Sequence, residues 1–285
     1  MVELLVTSFL GLIMLGLTLS ATTSNRRLYK YDLVRTRINQ NMRSALDIMG
    51  MDVRQAGENL FPTFPAVLIE DGAAGASDEQ VIRRNVIDEV FNLCQAIAAG
   101  SGNTTITVAD NGSAQPGCDK TSNLTSYTAW GAKRLADGGA SHIIDAYMYN
   151  RSTKLGEYFK YTNESSTATQ YQLTKSTGTW TNAYTVGSSS LYIMEEWRYR
   201  VVNGVLQIIT NNDTVNPLNV VDGVEDFQVT ALMQDGTTKN TYIAGDDWSQ
   251  LKALRISVTG TDTVQGEALT RTLSSDFFPR NILSN

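Results

Sequence analysis

MVELLVTSFLGLIMLGLTLSATTS, residues 1–24, is the stretch from which the rest of the chain is read. From Leu4 to Ala21 it carries neither charge nor proline. At about 1.5 Å per helical residue, such a run reaches roughly across a hydrocarbon core. One acid, Glu3, stands near its start, where a cleaved signal peptide would carry basic residues. A carboxylate near the end of a membrane-length helix is costly unless something neutralises it, which makes Glu3 a candidate functional residue.

Working outward, Leu28, Tyr31, Val34, Ile38, Met42, Ala45, Met49, Val53 and Ala56 recur at steps of three and four, a helical stripe. Arg26, Arg27, Lys30, Arg35, Arg37 and Arg43 occupy the faces between, and no Gly or Pro intervenes until Gly50. The pattern predicts one helix to about Ala56, roughly 80 Å long, stopped by Gly57, Pro62 and Pro65. Its first half is apolar all round and needs lipid or a bundle of its own kind; its second half has a single apolar stripe and needs a globular domain to lie on.

Four stretches carry a resemblance to a known family. Met1 to Gly16 is similar to the mature N-terminus of type IV pilins and pseudopilins, and ALDIMGMDVRQAG (Ala45 to Gly57) to the end of their long helix. VVDGVEDFQVTALMQDG (Val220 to Gly236) with LKALRISVTG (Leu251 to Gly260), and the tail FFPRNILSN, resemble the C-terminal core of the larger PilW-type minor pilins and J-type pseudopilins. In that family the acid lies two places further from the mature N-terminus, so the expectation is that the chain is numbered without its first two residues or is processed differently.

The resemblance implies an α+β fold: a pilin helix over residues 1–57, with 1–24 as the assembly or membrane segment, and an extracellular β-rich head with antiparallel sheet over 58–285. It implies a structural subunit of a type IV pilus-like filament, major or PilW-like, with a J-like pseudopilin of a type II secretion system or a membrane-anchored adhesin as alternatives. Implied partners are copies of itself and other pilins, the inner-membrane assembly machinery and a prepilin peptidase. The subunit would wait in the inner membrane and then join an extracellular filament. Glu3 would set register by meeting a neighbour's terminal amine. Gly11 and Gly16, with Ala21, would allow close approach or a local loss of helix, which here would rest on Gly16 and Thr22 to Ser24.

Composition fits an exported chain. It is 42% hydrophobic and 18% charged, and about 225 residues beyond the helix suffice for one sizeable core. Residues 25–57 hold a net charge of +4 and Glu3 adds −1, so the remainder carries −9 within the total of −6. An acidic head excludes nonspecific nucleic-acid binding, which needs a basic face. The basic stalk is expected to meet acids of neighbouring subunits, with lipid headgroups as the alternative. Cys94 and Cys118, the two cysteines, are expected to pair in an exported domain.

Beyond the helix, alternating runs predict strands at 106–109, 142–149, 158–161, 192–202, 205–210, 227–233, 251–258 and 269–273. Asn203-Gly204 predicts a two-residue hairpin turn. Asp222, Glu225 and Asp226 are read as a turn or short helix ahead of the next strand. Residues 99–128, and 162–190 in which 14 of 29 residues are Ser or Thr, read as surface loops or thin exposed strands.

Catalysis finds no footing. The one histidine, His142, has no nucleophile motif near it, and there is no P-loop, GxGxxG or HExxH. No catalytic, cofactor-binding or metal-ligating residue is assigned, no cofactor is expected, and the chain is read as no enzyme. The acids at 246–247 and 222–226 lack calcium-loop spacing and read as solvated turns. Trp130, Trp180, Trp197 and Trp248 are expected in the core or at subunit contacts. Sequons at Asn103, Asn111, Asn123, Asn150, Asn163 and Asn212 are about what chance provides, and mark only weak candidates for glycosylation.

Overall fold

The stripe that begins in the charged part of the helix is where the fold is anchored. A computed structural model describes residues 2–61 and 64–282. Met1 as mature N-terminus, Pro62 as part of the helix stop and the last three residues of the tail lie outside the described residues. Helix α1 (Val2–Gln55) runs unbroken for 54 residues, about 80 Å. Gly57, at φ +78°, turns the chain away and donates its N–H to the Arg83 carbonyl at 2.9 Å.

The head is built mainly of antiparallel strands, and the chain is α+β. In order come β1 (Val67–Glu70), β2 (Glu79–Asn85), β3 (Phe91–Asn92), β4 (Thr105–Asp110) and helix α2 (Leu124–Asp137). Next are β5 (Ile144–Asn150), β6 (Leu155–Ser166), β7 (Gln170–Lys175), β8 (Ser189–Tyr192), β9 (Met194–Val202) and β10 (Val205–Thr210). The last are β11 (Leu218–Asp222), β12 (Val224–Met233), β13 (Thr238–Lys239), β14 (Leu251–Val264) and β15 (Glu267–Phe277). They form three sheets, ordered β1-β2-β9-β10-β11, β13-β12-β14-β15 and β3-β8-β5-β6-β7-β4.

The stripe docks on β14 and β15, with Val34, Ile38, Met42, Ala45, Met49, Val53 and Ala56 buried as the spacing requires. Leu28 is the exception at 60% exposed, because the sheet ends before it and seating starts at half-buried Tyr31. Two glycines permit the close approach. A Cβ on Gly260 would lie 2.8 Å from Met42 Cε, and one on Gly50 would lie 2.2 Å from Phe277 Cε1.

Two apolar cores form, where chain length alone suggests one. The larger lies between α1 and the first two sheets; the smaller lies between the third sheet and α2. Strand β5 divides them through its period of two: Tyr147 and Tyr149 enter the larger, Ala146 and Met148 the smaller.

Two loop readings are corrected, the acidic segment takes the turn of its two alternatives, and one strand was not foreseen. Residues 99–128 include the start of α2, whose inward face is Trp130, Gly131 and Arg134; a glycine and an arginine at inward positions hide the apolar period. The 162–190 stretch contains β7, which buries Tyr171, Leu173 and Lys175 in strict alternation. The acids at 222–226 make no helix: Gly223 (φ +75°) turns the chain, and Glu225 and Asp226 already lie in β12. Strand β2 escapes the strand pattern because it buries Gln80, Arg83 and Asn85 beside Val81 and Ile82. By contrast Asn203 and Gly204, at φ +51° and +78°, close the expected hairpin, with Val202 opposite Val205.

Arg134 explains itself once α2 is seated. Its Nε and Nη2 donate to both oxygens of Glu164 at 2.7 and 2.9 Å, and Tyr161 donates to the same carboxylate at 2.8 Å. The hydrogen bonds from Arg134 hold the Glu164 carboxyl below its ordinary value of 4.5. A lowered folded value means the unfolded chain takes up the proton first as pH falls. The stabilisation is therefore fully present above the ordinary glutamate range and is lost as pH drops through the folded value. Glu164→Gln is expected to lower stability at neutral pH and to shrink the further loss on acidification to about pH 3. Urea titrations at both pH values check this; an unchanged acid sensitivity would refute it.

Candidate assembly surface

The surface with the most unexplained chemistry is the free half of α1. From Val2 to Lys30 every residue whose side chain is described is exposed, and an apolar window of 18 residues with mean hydropathy 1.6 has no part buried in the chain. It is one helix long and apolar enough to cross a membrane. Val6, Phe9, Leu10, Leu12, Ile13, Met14, Leu15, Leu17 and Leu19 cover it on all sides. At about 1.5–3 kcal/mol for each large apolar side chain, leaving these nine in water costs roughly 15–25 kcal/mol. The rod needs lipid or other rods.

Glu3 lies exposed in the first turn of α1, where the positive end of the helix dipole favours a carboxylate. Gly11 and Gly16 would meet nothing within 4 Å if given a Cβ. Each costs about 1 kcal/mol of helix stability relative to alanine, and nothing in the chain's own packing requires them. Neither Gly16 nor Thr22–Ser24 interrupts the helix. The hydroxyls of Thr18, Thr22 and Thr23 bond back to carbonyls four residues earlier at 3.0, 2.8 and 3.0 Å, so the polar run is satisfied without melting.

At the base of the rod, the turn of the β14–β15 hairpin grips the stalk. Glu267 accepts a hydrogen bond from Tyr31 and lies 3.5 Å from Arg27, and Asp262 pairs with Arg37. Two of the stalk's cations therefore meet acids of their own chain. Arg26, Lys30, Arg35 and Arg43 are exposed with no ion pair among the described residues. The sequence reading missed this grip; its local trace is TDTVQGEAL, where Gln265-Gly266, at φ +53° and +86°, makes a tight turn between two acids. Exposed pairs of this kind contribute about 0–1 kcal/mol each, so they orient the stalk more than they stabilise it.

The remaining sequence candidates lie apart from the rod. Cys94 and Cys118 form a disulfide with Cα atoms 5.7 Å apart across a separation of 24 residues, pinning the loop after β4 to the chain after β3. Replacing both by alanine is expected to cost about 3 kcal/mol by the loop-entropy argument; a shift under about 1 kcal/mol in denaturant titration would refute it. His142 is exposed in a left-handed turn before β5. All four tryptophans are buried in the fold. Asp246 is tied to Lys239 at 2.6 Å, and Asp247 caps a 3-10 turn. Among the described residues no three His, Cys, Asp or Glu side chains converge as metal ligands.

The sequons divide by burial. Asn103, Asn111, Asn163 and Asn212 are exposed. Asn123 and Asn150 are buried, and their amide nitrogens donate to the carbonyls of Gly117 and Ala183 at 2.8 and 3.2 Å. In the folded head those two nitrogens are buried and engaged. Compared with protein-family profiles, with curated proteins and with solved structures, the chain finds no match in any of the three.

Proposed function

We propose that this chain is a structural subunit of a type IV pilin-like filament. The observation that carries the reading is the bare apolar half of α1, continuous with a half firmly seated on the head. A simple anchor would need the length and the grease, but not two glycines within the apolar run or an acid at the tip. In this reading the rod passes from a membrane pool into a bundle of identical rods. Lipid is already apolar, so assembly gains packing rather than desolvation. Gly11 and Gly16 let neighbouring backbones approach, and Glu3 sets their stagger by pairing with a neighbour's terminal amine. Prepilin processing and an inner-membrane assembly machine belong to the same proposal, and major, PilW-like minor and secretion-pseudopilus roles are all forms of it.

Imaging of the native assembly tests the reading. The expected result is a filament whose core is a bundle of residues 2–24 from many copies, or one copy at a filament tip in the minor case. A monomer that stays in lipid, with rods that never touch, would overturn it and leave a tethered binding head.

A further inference from the structure

Strand β7 turns Tyr171, Leu173 and Lys175 toward the smaller core in strict alternation. The third inward position calls for an apolar side chain, yet it holds a lysine that is only 7% exposed. Its stem is buried among the core side chains and its Nζ rests 4.7 Å from the ring centroid of Trp180. Among the described residues this ammonium makes no hydrogen bond and no ion pair. The stem is buried while the ammonium meets solvent at the groove, and within the chain it has only the indole face beside it.

Lys175 lines an open groove of about 660 Å³ between the loop after β7 and the β10–β11 turn. The loop supplies Ser176, Thr177 and Thr179, and the turn supplies Asn211 and Asn212, which are neutral hydroxyl and amide groups. Two acids also border the groove, and both are already engaged. Asp145 is held by Lys160 at 2.7 Å. Asp213 accepts the N–H groups of Val215 and Asn216 at 3.2 and 3.3 Å and the Asn216 side-chain amide at 3.0 Å. Lys160 and Lys175 match the two acids of the lining in number, and Lys175 is the cation with no carboxylate within ion-pair distance among the described residues.

We propose that this groove binds a carboxylated sugar unit, a uronic or sialic acid of a surface polysaccharide, with Lys175 taking the carboxylate. The hydroxyl and amide lining matches the sugar's own donors and acceptors, and the volume accommodates a pyranose ring with room to spare. With two lysines and two aspartates on its lining the groove has no net positive charge to hold a phosphate dianion, whereas the one unpaired ammonium can take a single carboxylate. The proposal goes beyond filament assembly and holds equally for a tethered head.

The test is calorimetric titration of the full chain in detergent with sodium glucuronate, glucose and sodium acetate. Glucuronate is expected to saturate, with glucose and acetate each weaker by about tenfold, since a charged hydrogen bond and the neutral contacts would each contribute. Lys175→Met, which suits the inward position, is expected to keep or raise the thermal midpoint and to weaken glucuronate binding by about tenfold or more. Thr177→Trp, on the exposed loop, blocks the groove without touching the core and should abolish binding even if Lys175→Met fails to fold. Acetate binding as well as glucuronate, unchanged binding in either folded variant, or no saturation by glucuronate would each overturn the proposal.

Discussion

Glu3→Ala is expected to leave the head folded and to reduce filament incorporation to a small fraction of normal. The head does not touch this residue: seating of α1 begins near Tyr31 and Val34, more than 40 Å away along the helix at about 1.5 Å per residue. In a water-poor bundle the carboxylate is tolerated only when paired, and losing one partner of a buried pair costs about 3–5 kcal/mol, a hundredfold or more in an equilibrium. Sheared surface filaments quantified against total subunit give the readout, with tryptophan fluorescence reporting the head. Normal yield from the variant would remove Glu3 from the assembly account; lost yield with an unfolded head would mean that the effect is structural.

Glu196→Ala is expected to be among the most damaging single truncations in the head. Arg83 on β2 and Glu196 on β9 face each other directly in the antiparallel ladder, with Nε 2.7 Å from the carboxylate and side-chain exposures of 10% and 1%. Arg83 also lies 5.6 Å over the Tyr147 ring. Burial works against the Arg83 charge, but Glu196 beside it more than compensates and holds the guanidinium above its ordinary value. Removing the acid leaves a desolvated cation, at a cost of about 3–5 kcal/mol. The paired change Arg83→Met with Glu196→Leu is expected to recover most of that loss, because an apolar pair of similar volume needs no charge compensation. Urea titration of both variants decides it: a cost below about 1 kcal/mol for Glu196→Ala would mean that water reaches the site.

These two residues differ in how legible they were. Glu3 is conspicuous because a lone acid in an apolar run violates the pattern around it. Arg83 and Glu196 were invisible: each lies in a strand among other charged residues, and nothing local says that Arg83 is the more deeply buried of the two arginines while Arg84 stays half-exposed against Trp197. The hairpin at Asn203-Gly204 was readable because its turn chemistry is local, whereas α2 and β7 were not, since Arg134 and Lys175 occupy inward positions and break the apolar period. The same breaks mark the chemistry that matters most in the head: Arg134 ties α2 to β6, and Lys175 lines the groove.

By itself the sequence determined the long helix, its division into an apolar half and a striped half, the β-rich character of the head with its Asn203-Gly204 hairpin, and the pairing of the two cysteines. Each rests on a period, a turn or a count that neighbouring residues express without help. Only the tertiary structure decided that the stripe takes hold at Tyr31 rather than Leu28, that β5 separates two cores, that Asp262 and Glu267 grip the stalk, and that Asn123 and Asn150 are buried. Those outcomes depend on which distant surfaces meet, and the burial of a polar side chain is set by the partner it finds across the fold rather than by the residues beside it in the chain.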